Sequence, residues 1–229
     1  KDIRERWQWT FPFLFSPLDP KMLFVSSQRL WRTMDGGRTW LRLSGDLTRH
    51  APETQEKSGG PITGDMNGPE VYGVIFSVGP SKRDVNVIWT GSDDGLVHVT
   101  HDGGKTWSNV TPKEMPDFGR VSQIDASAFN TGAAYVSVRR PLLGDRAPYV
   151  FKTTDYGKTW SEYTQFTYDD ASGFLSPSSM SNFIRRSKTG KVYWIGNISR
   201  TRPRGNSPRW PLVIAELDEE KLALRKNTV

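Results

Sequence analysis

Thr33-Met-Asp-Gly-Gly-Arg-Thr-Trp40 is a pattern that the sequence repeats at Thr100-His-Asp-Gly-Gly-Lys-Thr-Trp107 and at Thr153-Thr-Asp-Tyr-Gly-Lys-Thr-Trp160. Each copy reads Thr-x-Asp-x-Gly-x-Thr-Trp, where x is any residue, so all three copies share five of the eight positions. Chance recurrence at this level is negligible, and such repeats indicate a repeated structural unit. We call these segments the Asp hairpins, residues 33–40, 100–107 and 153–160.

The residue types of the repeat predict a tight β-hairpin. An Asp in a turn accepts hydrogen bonds from backbone N–H groups, and a Gly two residues later adopts the positive φ that the turn needs. The Trp begins the next strand and is expected to bury its ring over the hairpin, a contribution of about 5 kcal/mol at ~25 cal/mol per Å². A structural role is therefore assigned to Asp35, Gly37, Trp40, Asp102, Gly104, Trp107, Asp155, Gly157 and Trp160.

Short runs of strand-forming residues surround each Asp hairpin. Three runs precede the hairpin and one follows it, which is the strand order of a β-propeller blade with the hairpin between its third and fourth strands. A fourth unit without the repeat follows. We expect an all-β fold, a single β-propeller domain over 1–229 built of about four four-stranded antiparallel blades. The blades are placed at roughly 7–45, 70–112, 119–166 and 180–229, with an insertion at 45–69.

The composition excludes several kinds of function. No cysteine is present, which excludes disulfides, thiol nucleophiles and cysteine zinc sites, and three histidines make a histidine-rich metal site improbable. The net charge of +6 includes no Lys/Arg run of the kind that binds nucleic acid. No run reaches the ~18 apolar residues of a membrane span. We expect no cofactor, no metal, no nucleic acid and no membrane as a partner.

The Asp hairpins resemble the Asp box, or bacterial neuraminidase repeat, of sialidases, sortilin-type receptors and related glycosyl-hydrolase-like propellers. Residues 1–160 are most similar to the sortilin-type branch, through Ile62-Thr-Gly-Asp65, Glu70-Val-Tyr-Gly73 and Asp93-Asp-Gly-Leu-Val-His-Val-Thr100. From about 174 onward, phrases such as Tyr193-Trp-Ile-Gly-Asn197 are more similar to sialidase-like exo-hydrolases. The chain reads as a mosaic of the two branches or as a divergent member that shares features of both.

Candidate catalytic residues precede or begin the inner strand of the second blade, expected at Tyr72–Val78. Glu70 and Tyr72 are two residues apart and share a face on a strand, where a carboxylate activates a phenol by accepting its proton. Asp65 is the candidate acid/base. The resemblance to sialidases implies the same roles, with arginines on the substrate carboxylate. A structural Tyr72, packed with its hydroxyl bonded, stays open as the alternative.

Arginine and aromatic side chains supply the candidate ligand-binding residues. Arginine binds carboxylates bidentately, and aromatic rings stack on sugar faces. Ordinary surface charge and packing remain the alternatives for each of them, and Asp93-Asp-Gly95 is interpreted as a turn rather than a metal site. The primary candidates are Arg120, Arg185, Arg200, Arg202, Trp9 and Asn182, and the secondary ones are Arg139, Arg140, Arg186, Arg204, Trp7 and Trp210.

Two functions are compatible with these residues. The first is a sialidase-like glycoside hydrolase that acts on an anionic glycan at the mouth of the propeller channel. The second is a non-catalytic propeller that binds a glycan or a peptide, as lectins or sortilins do. The Phe/Tyr-Arg-Ile-Pro motif that supplies the first arginine of sialidases is absent, which weakens the case for the first.

The resemblance also implies an extracellular or periplasmic location. The first nine residues contain neither an initiator Met nor the apolar core of a signal peptide, so we expect a processed or excised product. Unpaired edge strands at both ends of the chain would favour association with a second copy.

Overall fold

The computed structural model describes residues 5–55, 71–140, 143–163, 165–177 and 181–229. The chain divides into two compact units, Lys1–Thr164 and Gln165–Val229, which we treat separately. Both units consist of antiparallel sheets, and the described residues contain no α-helix. The predicted all-β fold with propeller-type antiparallel sheets is confirmed.

The first unit contains three sheets in which strands follow one another in chain order. We call them blades 1, 2 and 3. Blades 1 and 2 have four strands, and blade 3 has three. Blade 1 comprises β1 (Phe13–Phe15), β2 (Leu23–Ser26), β3 (Leu30–Thr33) and β4 (Leu41–Arg42); blade 2 comprises β5 (Ile75–Pro80), β6 (Ile88–Ser92), β7 (Val97–Thr100) and β8 (Ser108–Asn109); blade 3 comprises β9 (Arg120–Ala126), β10 (Ala134–Arg140) and β11 (Asp145–Thr153).

The three Asp hairpins have the geometry that the repeat predicts. In the first, the carboxylate of Asp35 accepts the backbone N–H of Thr39 at 2.9 Å and the hydroxyls of Thr33 and Thr39 at 2.8 and 2.6 Å. These bonds, led by the Thr39 hydroxyl, lower the pKa of Asp35 to about 2. Gly37 has a φ of +91°. Asp102 and Asp155 make the same three bonds in their own hairpins.

The tryptophan that ends an Asp hairpin also links neighbouring blades. The indole N–H of Trp107 in blade 2 donates to the carbonyl of Leu43 in blade 1 at 2.9 Å. The indole N–H of Trp160 in blade 3 donates to the carbonyl of Val110 in blade 2 at 2.7 Å. Trp40 differs, because it is 40% exposed and bonds to its own turn, so the predicted burial of the ring is wrong for this residue.

Apolar side chains, both aliphatic and aromatic, fill the space between the blades. Between blades 1 and 2, Phe24 and Leu30 pack with Ile75 and Ile88. Between blades 2 and 3, the fully buried Trp89 contacts Trp160 edge to face, with ring centroids 6.3 Å apart. The surrounding residues of that second cluster include Val97, Val99, Val121, Ile124, Val136 and Phe151.

Several predicted strand bounds are wrong in detail. No strand forms at Trp160–Tyr163, the expected outer strand of blade 3, where the ladder reduces to two bonds between Ser161 and Lys152. The inner strand of blade 2 begins at Ile75, three residues later than predicted, because the backbone N–H groups of Gly73 and Val74 bond the Asp93 carboxylate instead of a strand.

The second unit contains one four-stranded sheet, which we call the fourth sheet. One of its faces is covered by an aromatic cluster in which Trp194 contacts Phe166 and Phe174, with centroids 6.3 and 5.7 Å apart. The last strand is shorter than the predicted Leu222–Val229, because a 3-10 turn at Lys226–Thr228 follows it. The strands are β12 (Asn182–Arg185), β13 (Val192–Asn197), β14 (Leu212–Asp218) and β15 (Ala223–Leu224).

Candidate ligand-binding face

The antiparallel order of the strands separates two ends of each blade. Connections between the first and second strands and between the third and fourth strands lie at one end, which carries the Asp hairpins. Connections between the second and third strands, and the segments that enter each first strand, lie at the opposite end. We call this opposite end of blades 1–3 the ligand face.

Two consecutive acids lie in the β6–β7 turn of the ligand face. Asp93 is 1% exposed, and one of its carboxylate oxygens accepts the backbone N–H groups of Gly73 and Val74 at 3.0 and 2.9 Å. Its other oxygen, Oδ2, has no hydrogen-bond partner among the described residues. Burial, together with the nearby Asp94 charge, raises the pKa of Asp93 to about 7.

Asp94 holds the segment that follows blade 1. Its carboxylate accepts the backbone N–H groups of Arg49 and His50 at 2.8 and 3.3 Å and the Ser92 hydroxyl at 2.6 Å. Burial raises the pKa of Asp94, and these bonds oppose that effect. His50 takes a positive φ of 48°, a backbone strain that such over-determined loops can hold.

Tyr72, in the segment that enters β5, packs against this turn and is 3% exposed. Its hydroxyl donates to the backbone carbonyl of Asp93 at 3.2 Å. Burial, with the charges of Asp93 and Asp94, raises the pKa of the phenol, so deprotonation is disfavoured. Tyr72 is therefore buried with its hydroxyl hydrogen-bonded, as the structural alternative has it. Its role as a nucleophile stays a prediction.

Two arginines stand side by side on blade 3 at the ligand face. Arg120, the first residue of β9, is paired directly with Arg139 of β10, and the two residues share a face of the sheet. The guanidinium of Arg120 lies 4.8 Å from the centroid of the Phe76 ring. Neither arginine forms an ion pair with any other residue that the structure describes.

A third arginine and two more aromatic residues extend this face. Arg49 lies 5.1 Å from the centroid of Phe118 and pairs with Asp117 at 3.1 Å. Trp9, in the segment that enters blade 1, is 69% exposed. Arg6, in contrast, is structural, because it bonds the carbonyl of Gly73 and the carboxylate of Asp46 at 2.8 and 2.7 Å.

The remaining predicted residues fall into three groups. Asp65 and Glu70 lie outside the described residues. In the first unit, Arg140 pairs with Asp145 at 3.3 Å, and the ring of Trp7 contacts Phe11 edge to face. In the second unit, Arg185 is bound bidentately by the carboxylate of Glu219 at 2.6 and 3.2 Å, which raises its pKa. Asn182 is exposed and accepts the backbone N–H of Phe183. Arg200 and Arg202 are exposed loop residues.

Sequence reasoning missed the burial of Asp93 and the contribution of Arg49. Asp-Asp-Gly is a usual surface turn, and nothing in its letters indicates that the loop before β9 covers it. A Cβ added at Gly95 would lie 3.0 Å from the backbone nitrogen of Gly119, which shows how closely the two loops pack. Within the described ranges no group of three or more His, Cys, Asp or Glu side chains could hold a metal ion, and no helix is long and apolar enough to cross a membrane.

Comparison with known proteins shows the fold and leaves the family unassigned. No family model matches the sequence, and no curated protein does. Among solved structures, an ancestral GH74 enzyme superposes on 96% of this chain with a TM-score of 0.57 at 13% identity, and 24% of that enzyme is covered. This likeness carries the fold alone.

Two further structures are similar at lower scores. YCF48 bound to D1 peptide superposes on 96% of the chain at 16% identity, with a TM-score of 0.48 and 55% of YCF48 covered. The NanB sialidase from Streptococcus pneumoniae superposes on 88% at 18% identity, with a TM-score of 0.46 and 27% covered. These neighbours are β-propeller proteins, and the chain spans between about a quarter and just over half of their lengths.

Proposed function

We propose that this chain is a binding propeller that holds an anionic glycan on its ligand face, without catalysing a reaction there. The observation that carries the proposal is the Arg120–Arg139 pair. Like charges directly opposite each other on a sheet destabilise it, so a fold keeps such a pair at a cost unless an anion neutralises it. A carboxylate of a uronic or sialic acid is such an anion, and guanidinium groups bind it bidentately.

The surroundings of the pair support a sugar ligand. Phe76 orients Arg120 through its ring face, and Arg49 is oriented in the same way by Phe118. The exposed Trp9 offers an aromatic surface at the same end of blade 1, suited to stacking on a sugar ring. Asp93, Asp94 and Tyr72 are engaged with backbone groups, so they hold the loops in place.

The test is a calorimetric titration with sialyl and glucuronyl oligosaccharides and with the same sugars after reduction of the carboxylate. We expect binding of the acids to weaken about tenfold or more in Arg120→Gln and in Arg139→Gln, since one charged hydrogen-bonded contact is worth about 1.5–3 kcal/mol. Arg83→Gln is the matched control, because Arg83 lies in the β5–β6 turn at the Asp-hairpin end. Equal binding of reduced sugars would refute the proposal.

Hydrolysis of the same glycan is the second candidate function, favoured by one observation. Burial gives Asp93 a pKa of about 7, the range in which a general acid works at neutral pH. Asp65 or Glu70 would then have to supply the second carboxylate. Turnover of fluorogenic sialosides and uronides that disappears in Asp93→Asn and in Glu70→Gln would establish hydrolysis, whereas absence of turnover with binding retained supports the binding function.

We also propose that the chain acts in an extracellular or periplasmic setting. The support is the resemblance of its Asp hairpins to those of sialidases and sortilin-type receptors. Fractionation of the source cells, followed by immunodetection of this chain, tests the location. Recovery in the cytoplasmic fraction alone would contradict it.

A further inference from the structure

Blade 1 exposes an aromatic face. Phe13 and Phe15 of β1 are 62% and 57% exposed, and they share one face of the sheet with Val25 and Leu23, their partners on β2. Trp40, at the end of the first Asp hairpin, is 40% exposed. The opposite face of the same sheet packs against blade 2. An exposed aromatic area of this kind on a soluble domain indicates an interaction surface.

The two later Asp hairpins show which contacts a blade makes with the blade that precedes it. In each, the Trp indole bonds a carbonyl of the preceding blade, on the residue three positions after that blade's own Trp: Leu43 for Trp107, and Val110 for Trp160. The hairpin Gly is equally close to this residue. A Cβ added at Gly104 would lie 2.8 Å from that of Leu43, and one added at Gly157 would lie 2.7 Å from that of Val110.

Within the described residues of the first unit, no neighbour of this kind meets the first Asp hairpin. The indole of Trp40 turns to the carbonyl of Gly37 in its own hairpin at 3.1 Å. A Cβ added at Gly37 would meet only the ring of Trp40, at 3.7 Å. The side of the hairpin that meets a preceding blade in the two internal interfaces is therefore present in blade 1, and no other blade of the first unit packs against it.

Blade 3, the last blade of the first unit, carries the residue that would meet the first Asp hairpin. Tyr163 lies three positions after Trp160, which makes it the equivalent of Leu43 and Val110, and it is 51% exposed. The flanking charges are also opposite, because Arg38 follows Gly37 and Glu162 precedes Tyr163. The same chain thus carries both halves of one further blade-to-blade contact.

We propose that blade 1 docks head to tail on blade 3 of a second copy of this chain. In the docked pair, the indole of Trp40 leaves its own turn and donates to the carbonyl of Tyr163 of the partner subunit, and the rings of Phe13 and Phe15 are buried. The contact is heterologous, and repeating it once closes a pair of copies when the rotation allows. The inference is independent of the glycan proposal.

The first test is sedimentation of the chain over a range of concentrations. We expect self-association that weakens about 30-fold or more in Phe15→Lys, which places a charge in the contact. The effect of Trp40→Phe should be smaller, because the indole exchanges its bond to Gly37 for the bond to the partner. Val85→Lys is the matched control, since Val85 is an exposed apolar residue on blade 2 outside this face. A monomer at every concentration, or equal weakening by Val85→Lys, overturns the proposal.

The second test uses the absence of cysteine in the chain. Arg38→Cys and Glu162→Cys are made in separate copies, mixed and treated with a short bis-maleimide reagent. Head-to-tail docking predicts a covalent pair in the mixture at several times the yield of either variant alone. A yield of the covalent pair in the mixture no higher than that of either variant alone contradicts docking between copies. Crosslinking only within one chain, when both substitutions are combined, also contradicts it.

Discussion

The first unit and the fourth sheet build similar antiparallel arrays by different means. In the first unit, the connection after the third strand is an Asp hairpin whose carboxylate bonds three groups of the turn. In the fourth sheet, the connection between β14 and β15 is held by Asp218, which accepts the backbone N–H groups of Glu220 and Lys221 at 3.1 Å. Both devices make a turn, and only the Asp hairpin adds a Trp.

The apolar cores of the first unit and of the fourth sheet also differ in how they are built. Blades 1–3 share mostly aliphatic clusters between neighbouring sheets, whereas the fourth sheet is covered by rings from its own incoming segment, Phe166 and Phe174. The difference indicates that the Asp hairpin serves to join one sheet to the next rather than to build a sheet. Four substitutions and their partners test that interpretation.

The largest effect is expected from removing the central ring of each unit. Trp89→Ala and Trp194→Ala should each lower the free energy of unfolding by about 3–5 kcal/mol, because a buried Trp leaves a large cavity. Hydrogen exchange read by mass spectrometry should show lost protection across blades 2 and 3 for Trp89→Ala, and within the fourth sheet for Trp194→Ala. Loss of protection in blades 1–3 on Trp194→Ala would break the comparison.

A pH dependence is expected from Asp93, which is buried in the first unit. The pKa of Asp93 is raised to about 7 from an unfolded value near 3.8. Between pH ~4 and about 7 the folded state keeps a proton on Asp93 that the unfolded state has lost. The free energy of unfolding is therefore unaffected by Asp93 below pH ~4 and falls as the pH rises to about 7, by up to about 4 kcal/mol. Denaturant unfolding between pH 4 and 8 should show a steeper fall of stability in the wild type than in Asp93→Asn, in which Asp94 still contributes because its own pKa is raised. If stability fell with pH equally in both proteins, the pH dependence would arise from groups other than Asp93.

A glycine pair separates backbone strain from contact between blades. Gly157 and Gly190 have positive φ values of 79° and 71°, but only Gly157 faces a neighbouring blade. Gly190→Ala should cost about 1–2 kcal/mol of strain, and Gly157→Ala should cost about 1–3 kcal/mol more through the clash with Val110. Thermal unfolding of both variants measures the difference. Equal costs would mean that the hairpin glycine is required by its turn alone.

The smallest effect concerns the indole hydrogen bonds. Trp107→Phe removes the bond to the Leu43 carbonyl and should lower stability by about 0.5–1.5 kcal/mol beyond the change in Trp40→Phe. The reference is suitable because Trp40 bonds only within its own turn. Urea unfolding at a concentration where the chain is monomeric makes the measurement. A larger loss from Trp40→Phe would contradict the proposed role of the indole in joining blades.

The sequence predicted the hairpins well because their information is local. Thr, Asp, Gly and Trp within eight residues determine the turn, and the three copies differ little in their bonds. The outer strand after Trp160 failed for a physical reason. The residue types there suit a strand, but Ser161 meets Lys152 through one backbone bond and its own hydroxyl, and no ladder continues.

The ligand face was predicted only in part. Arg120 was identified from its place at the entry to β9, whereas its pairing with Arg139 depends on an irregularity in the β9–β10 register between Ser137 and Val138. The turn that holds Asp93 packs, at Gly95, against a loop more than twenty residues further along the chain, near Gly119. Neither feature has a local pattern, so only the folded chain reveals them.

The bond from each later tryptophan to the blade before it has a consequence for how such chains lengthen in evolution. Every joint is made by one segment with its immediate predecessor, so duplication of a whole blade brings along its own donor and its own acceptor carbonyl. Gain or loss of a unit then leaves the older joints untouched, and the number of blades can drift while the chemistry of each joint stays the same.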